Sequence, residues 1–210
     1  NQATTTIGLT PLYMACQNGH TPVVELLLAA SDIDVNQAKT TTGSTPLFMA
    51  CQNGHTPVVE LLLASSQIDV NQAETTDGCT PLLMACQKGH ASVVELLLAS
   101  SEIDVNQART TDGCTPLFVA CQEGHAPVVE LLLASSEIDV NEPLMNGATP
   151  LIIASYLGQA SCVSLLLKDP AIDLALLFQE HTALQLAQPS MRVVDWKFLD
   201  EKIKIEGRQN

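Results

Sequence analysis

NQAETTDGCTPLLMACQKGHASVVELLLASSEIDV, residues 71–105, decides the fold, because the same string recurs 35 residues earlier and 35 residues later. The copy at 106–140 departs from it only at 109, 118, 119, 123 and 127. A fixed period of this length marks a solenoid of stacked supersecondary units, not one globular core. Copies run over 1–35, 36–70, 71–105 and 106–140. A fifth, 141–174, is degenerate: it keeps Thr149, Pro150 and Leu151, lacks one residue of the polar turn, and carries SYLGQ where the fourth has CQEGH.

Within the unit, Thr80 is placed to cap a helix and Pro81 to occupy its first position, where a missing donor costs nothing. LLMACQK continues that helix to Gly89, a residue type that tolerates a left-handed helix end. A second helix follows over VVELLLAS, with Ser92 as its expected cap, Thr21 and Thr56 in the same role, and Glu95 in its first turn. The EIDVNQAETTDGC segment is extended and turns back at Asp77-Gly78 or Asp112-Gly113, a tight-turn signal. The unit therefore reads helix, turn, helix, hairpin. Two-turn helices do not hold themselves in water, and LLL flanked by VV is apolar on more than one face, so neighbouring units must cover it.

The chain of 210 residues is 46% hydrophobic but only 3% aromatic, which suits thin helical layers packed with Leu, Val and Ala. Its net charge is −14 and sits unevenly. Residues 1–188 hold four basic and 19 acidic side chains, whereas 189–210 hold five basic and four acidic. An acidic body disfavours nucleic acid, which needs a basic footprint. No apolar run approaches the ~20 residues of a membrane span. Seven Cys is an odd count, and Cys16, Cys51, Cys86 and Cys121 recur at one helix position. Stacked helices lie roughly 8–10 Å apart, beyond the ~7 Å reach of a disulfide between Cα atoms. Buried thiols and a reducing, intracellular location are expected, in the cytoplasm or the nucleus.

TPLxxAC, then GH, VVELLL and DVN, resembles the ankyrin repeat over almost the whole chain. The resemblance implies an all-α solenoid of stacked helix-turn-helix units with short β-hairpin loops, forming one domain over 1–205. Two departures stand out. The family's usual period is 33, and the extra residues here fall in the SSxI segment after the second helix and at Gln37, Gln72 or Gln107. The position that is His in the family's TPLH is Tyr13, Phe48, Leu83, Phe118 and Ile152, which implies apolar packing in place of a Thr–His bond.

At the ends, Asn1 opens the chain at a repeat boundary and is not Met, so the chain reads as a fragment. The first copy is as apolar as the internal ones, which implies further repeats before it or an exposed edge. After the fifth copy, HTALQLAQ from His181 and VVDWKFL from Val193 read as a capping sixth unit over 175–205, Trp196 and Phe198 covering the stack and Lys197, Lys202 and Lys204 facing water. IEGR at 205–208 matches a protease recognition tetrapeptide, and 206–210 reads as a tail.

Cys followed four residues later by His, in CQNGH, CQKGH and CQEGH, looks like half a zinc site, but the Gly between them ends the helix and nothing supplies further ligands. His20, His55, His90 and His125 are expected to tie the turn between helices. The Asn of each DVN triplet is expected to bond the hairpin backbone. Repetition in every unit argues against a catalytic centre, which is a single asymmetric arrangement, and no glycine-rich phosphate loop occurs. The reading is a non-enzyme with no cofactor and no metal.

The resemblance implies a protein-binding module whose concave face, made of hairpins and first helices, holds a partner. The contact positions it implies are Lys39, Thr41, Thr42, Ser44, Gln52 and Asn53 in the second copy. In the third they are Glu74, Thr76, Asp77, Cys79, Gln87 and Lys88, and in the fourth Arg109, Thr111, Asp112, Cys114, Gln122 and Glu123. Lys39, Glu74 and Arg109 alternate in sign, as do Asn53, Lys88 and Glu123. The acidic surroundings favour a basic or mixed-charge protein or peptide, bound by a monomer. The alternative is a structural spacer in a longer chain, with no ligand of its own.

Overall fold

A computed structural model describes residues 8–175 and the backbone of 177–178 and 181–182. Over 8–175 it consists of paired helices stacked in chain order. The pairs are α1 Pro11–Gln17 with α2 Thr21–Leu28, α3 Pro46–Gln52 with α4 Thr56–Leu63, and α5 Pro81–Lys88 with α6 Ala91–Leu98. They continue as α7 Pro116–Glu123 with α8 Ala126–Leu133, and α9 Pro150–Leu157 with α10 Ala160–Leu166. Beyond them β1 Leu177–Phe178 pairs antiparallel with β2 His181–Thr182. HTALQLAQ thus opens as strand, not helix. The rest of that segment, Trp196 with the expected cap around it, and the tail lie outside the described residues. No described helix is long and apolar enough to cross a membrane.

The first helices start as expected. Thr10, Thr45, Thr80, Thr115 and Thr149 accept the N–H three residues on, at 3.0, 3.0, 3.1, 3.2 and 3.3 Å. Each such cap stabilises its helix by about 1 kcal/mol. Gly89, at φ +72, ends α5 in the left-handed conformation.

The second helices start differently from the expectation. Ser92 is not a cap, since α6 begins at Ala91 with His90 at the N-cap and no side-chain cap bond. Thr21 and Thr56 are likewise the first helical residues, and Glu95 sits in mid-helix. The backbone is the cause: Ala91 N–H bonds Gly89 O at 3.0 Å, while Val93 and Val94 N–H both reach His90 O at 3.0 Å. One residue, His90, separates the turn glycine from the helix, and it has no hydroxyl to act as a cap.

The polar turns are also wider than a two-residue hairpin. Arg109 N–H bonds Cys114 O at 2.8 Å and Gly113 N–H bonds Arg109 O at 2.9 Å, enclosing a four-residue tip. Successive loops are joined directly, Thr75 N–H to Thr42 O at 2.7 Å, Thr110 N–H to Asp77 O at 2.9 Å and Met145 N–H to Asp112 O at 3.0 Å.

One continuous core runs from Leu12 to Ile172. Tyr13, Phe48, Leu83, Phe118 and Ile152 are all buried in it, so apolar packing does replace the family's histidine. Along the stack first helices pack on first helices and second helices on second helices.

Two kinds of side-chain bond stitch the stack together. Asn106 Nδ2 donates to Glu137 O at 2.7 Å and its Oδ1 accepts from Asp139 N–H at 2.9 Å. Asn36, Asn71 and Asn141 repeat this pair of bonds. The amide therefore ties the loop after one second helix to the loop after the following second helix, not its own hairpin. His55, His90 and His125 use Nε2 to reach Gln17, Gln52 and Gln87 O at 3.1, 3.2 and 3.1 Å. They too bridge consecutive units, where a tie within one turn was expected. Gln159, in the degenerate copy, makes the same bridge to Gln122 O at 3.2 Å.

Candidate interaction face

The nominated positions fall into three groups. Ser44, Glu74, Cys79 and Cys114 are buried. In each loop the N–H of the first residue donates to the carbonyl of the residue after the turn glycine, which closes the loop at its base.

Lys39, Thr42, Asp77, Arg109 and Asp112 are half-buried, and several of them serve their own loops. The Thr76 hydroxyl and Asp77 N–H both donate to the Glu74 carboxylate. Arg109 clamps Asp112 with Nε–Oδ1 at 3.0 Å and Nη2–Oδ2 at 2.6 Å. That hydrogen bond holds the Asp112 carboxyl below its usual range and pushes the guanidinium up. With Asp112 42% exposed the pair adds at most about 1 kcal/mol. The sign alternation across 39, 74 and 109 is thus matched inside each of these two loops.

The exposed row consists of the tips Thr41, Thr76 and Thr111 and the helix-end residues Asn53, Lys88 and Glu123. Gln52, Gln87 and Gln122 beside them are half-buried. The fifth unit completes this row with residues that the repeat pattern alone did not single out. Loop bonding makes Met145 the counterpart of Thr110, while helix position makes Tyr156 and Leu157 the counterparts of Gln122 and Glu123. All three are exposed, at 73%, 52% and 45%. Aligning 141–174 residue by residue on 106–140 exposes the signal: Thr110, Gln122 and Glu123 have become Met145, Tyr156 and Leu157, alongside Arg109 to Leu144 and Glu137 to Ala171.

The thiols offer no ready nucleophile. Each cysteine is free and buried, and burial pushes Cys16 and Cys79 up to about 12 and Cys114 to about 11. Cys51, Cys86 and Cys121 are raised further by the same cause. A hydrogen bond from Cys121 lowers Cys162, which is itself 1% exposed. Thiol chemistry needs an accessible thiolate. Cys86 lies in the core and His90 reaches Gln52 O of the preceding unit, so the CQKGH pair is not a half-site.

Helix pairs repeating every 35 residues and bonded unit to unit define a repeat solenoid. The chain belongs to the ankyrin repeat family: the family model for three ankyrin repeats matches 1–74 and 67–144, and that for a single repeat matches 146–175. The fold is similar to the crystal structure of EF0377, an ankyrin repeat protein, with TM-score 0.80 and 26% identity, covering 94% of this chain and 98% of that one. No curated protein sequence matches the chain. Ankyrin repeats are in general protein–protein interaction modules and are typically non-enzymatic.

Proposed function

We propose that the chain binds a partner protein or peptide along the loop tips and first-helix ends, and that the fifth unit anchors it. The carrying observation is the exposure of Met145, Tyr156 and Leu157 at positions that are polar in the unit before. Exposed aromatic and apolar side chains rimmed by polar ones are the composition of an interface anchor. The row Asn53, Lys88, Glu123 then sets charge preference, and the acidic surroundings favour a basic or mixed-charge ligand. Binding is by a monomer and involves no catalysis. Seven free, buried thiols support a reducing compartment, cytoplasm or nucleus.

The second reading, a spacer without a ligand, draws support from the near-identity of copies two to four. A quantitative affinity capture from lysate separates the two, using the wild-type chain and Met145→Thr/Tyr156→Gln/Leu157→Glu, which places the fourth unit's residues in the fifth. Loss of at least 90% of a specifically captured protein is expected. Identical captures from both chains would remove the anchor and favour the spacer.

A further inference from the structure

The second-helix side carries a feature that the front face does not use. At three junctions between consecutive second helices the chain's return after the helix leaves a groove. In the middle one, Leu63, Ile68 and Val70 of one unit meet Leu96 of the next, with Ala64 and Ala99 at the rim. Equivalent grooves lie between α2 and α4 and between α6 and α8. The three are chemically alike because ELLLA at the helix end and IDV after the return are the same in every contributing unit.

A carboxylate stands in each groove, Glu25, Glu60 or Glu95, exposed and one repeat from the next. Residues 21–38, 56–73, 91–108 and 126–143 add further Asp and Glu and contain not one lysine or arginine. Like charges stacked at every unit repel, and the core does not need them. Their complement is a row of cations of the same period.

Spacing selects the form of that row. Packed helices lie 8–10 Å apart. A polyproline II strand advances about 3.1 Å per residue with three residues per turn, so every third side chain returns to one face after about 9.3 Å. A β-strand would turn every third side chain to the opposite face. We infer that this side of the solenoid is a second interaction surface. It takes a basic polyproline II segment that places an apolar side chain in each groove and lysine or arginine beside the carboxylates. This reading does not rest on the front-face proposal.

The test uses the full chain and a fluorescein-labelled peptide of four Leu-Pro-Lys triplets, followed by anisotropy at low and at moderate salt. A permuted peptide of the same composition, with its four leucines adjacent, measures attraction to acidic charge alone. The triplet peptide is expected to bind at least tenfold tighter than the permuted one. Ala64→Phe/Ala99→Phe fills all three grooves from exposed positions and should remove that advantage. Glu25→Gln/Glu60→Gln/Glu95→Gln should weaken binding and flatten its salt dependence. Lys88→Glu/Glu123→Lys and the Met145, Tyr156, Leu157 triple variant should leave it unchanged. Equal affinity for the two peptides, no saturable binding of the triplet peptide, or wild-type affinity in the groove-filled chain would each overturn the inference.

Discussion

The fourth and fifth units are built on one plan and present different surfaces, and the contrast separates what holds a unit in the stack from what it offers to solvent. The fifth lacks a loop residue and has replaced CQEGH by SYLGQ. Yet it keeps the Thr149 cap, the Met145 backbone bond to the loop before, the Asn141 amide pair and, through Gln159, the bridge that histidines make elsewhere. Its core stays apolar except where the buried Ser155 replaces Cys121, while exposed Met145, Tyr156 and Leu157 stand where the fourth unit has Thr110, Gln122 and Glu123. Stacking tolerates the loss of sequence identity because its requirements are few: a hydroxyl, an amide, a donor of the right length and a filled core.

The largest expected effect tests whether core truncations act alike in both units. Phe118→Ala should cost about 3–5 kcal/mol and Ile152→Ala about 2–5 kcal/mol, the range for buried large-to-small changes. Urea unfolding gives the sizes, and native-state hydrogen exchange gives the reach. Phe118→Ala should lower protection in units three to five, Ile152→Ala chiefly in units four and five, because each unit contacts only its neighbours. Uniform loss of protection after either change would mean that the array behaves as one cooperative block.

Glycines sharpen the contrast. Gly89 (φ +72) and Gly147 (φ +89) both adopt a conformation that costs other residues about 1–2 kcal/mol. A Cβ at Gly89 would meet the His125 ring at 2.7 Å, whereas one at Gly147 would meet nothing within 4 Å. Gly147→Ala should therefore cost about 1–2 kcal/mol. Gly89→Ala should cost about 1 kcal/mol more, since it also displaces the His125 bridge. Equal losses in thermal unfolding would show that the ring moves aside freely.

The amide bridges should be equivalent in the two settings. Asn106→Ala and Asn141→Ala each remove two loop-to-loop hydrogen bonds and should each cost about 1–3 kcal/mol, at 0.5–1.5 kcal/mol per bond. A much smaller cost for Asn141→Ala would mean that the fifth unit is held by other contacts.

Much of this was legible in the sequence, and what was not has physical causes. The period, the Thr-Pro starts, the glycine ends and the buried Cys16, Cys51, Cys86 and Cys121 positions follow from local propensity and hydrophobic patterning. Ser92 misled because a hydroxyl ahead of VVELLL looks like a cap, whereas the turn geometry set by Gly89 starts the helix earlier. Glu74 and Arg109 looked like opposed surface charges because a sequence does not show that each folds into its own loop. The partners of Asn106 and His125 lie more than 30 residues along the chain, beyond what local pattern reports. Met145, Tyr156 and Leu157 were hidden by the fifth copy's degeneracy, which reads as decay until exposure is known.

The smallest effect is the most specific to the comparison. If the bridge between units needs only a donor that spans from the second-helix start to the preceding glutamine's carbonyl, histidine and glutamine are interchangeable there. His125 Nε2 lies 3.1 Å from Gln87 O and Gln159 Nε2 lies 3.2 Å from Gln122 O. His125→Gln and Gln159→His should each change stability by less than about 0.5 kcal/mol, whereas His125→Ala and Gln159→Ala should each lose about 1 kcal/mol, the net value of one hydrogen bond. The ring has a second role that the amide shares only in part, since both pack over the glycine of the preceding unit, Gly89 under His125 and Gly124 under Gln159. Paired urea titrations of the four variants decide it: near-neutral swaps with costly alanines support interchangeable donors. A costly His125→Gln beside a neutral Gln159→Ala would show instead that only the histidine bridges support the stack and that the fifth unit's copy of them is incidental.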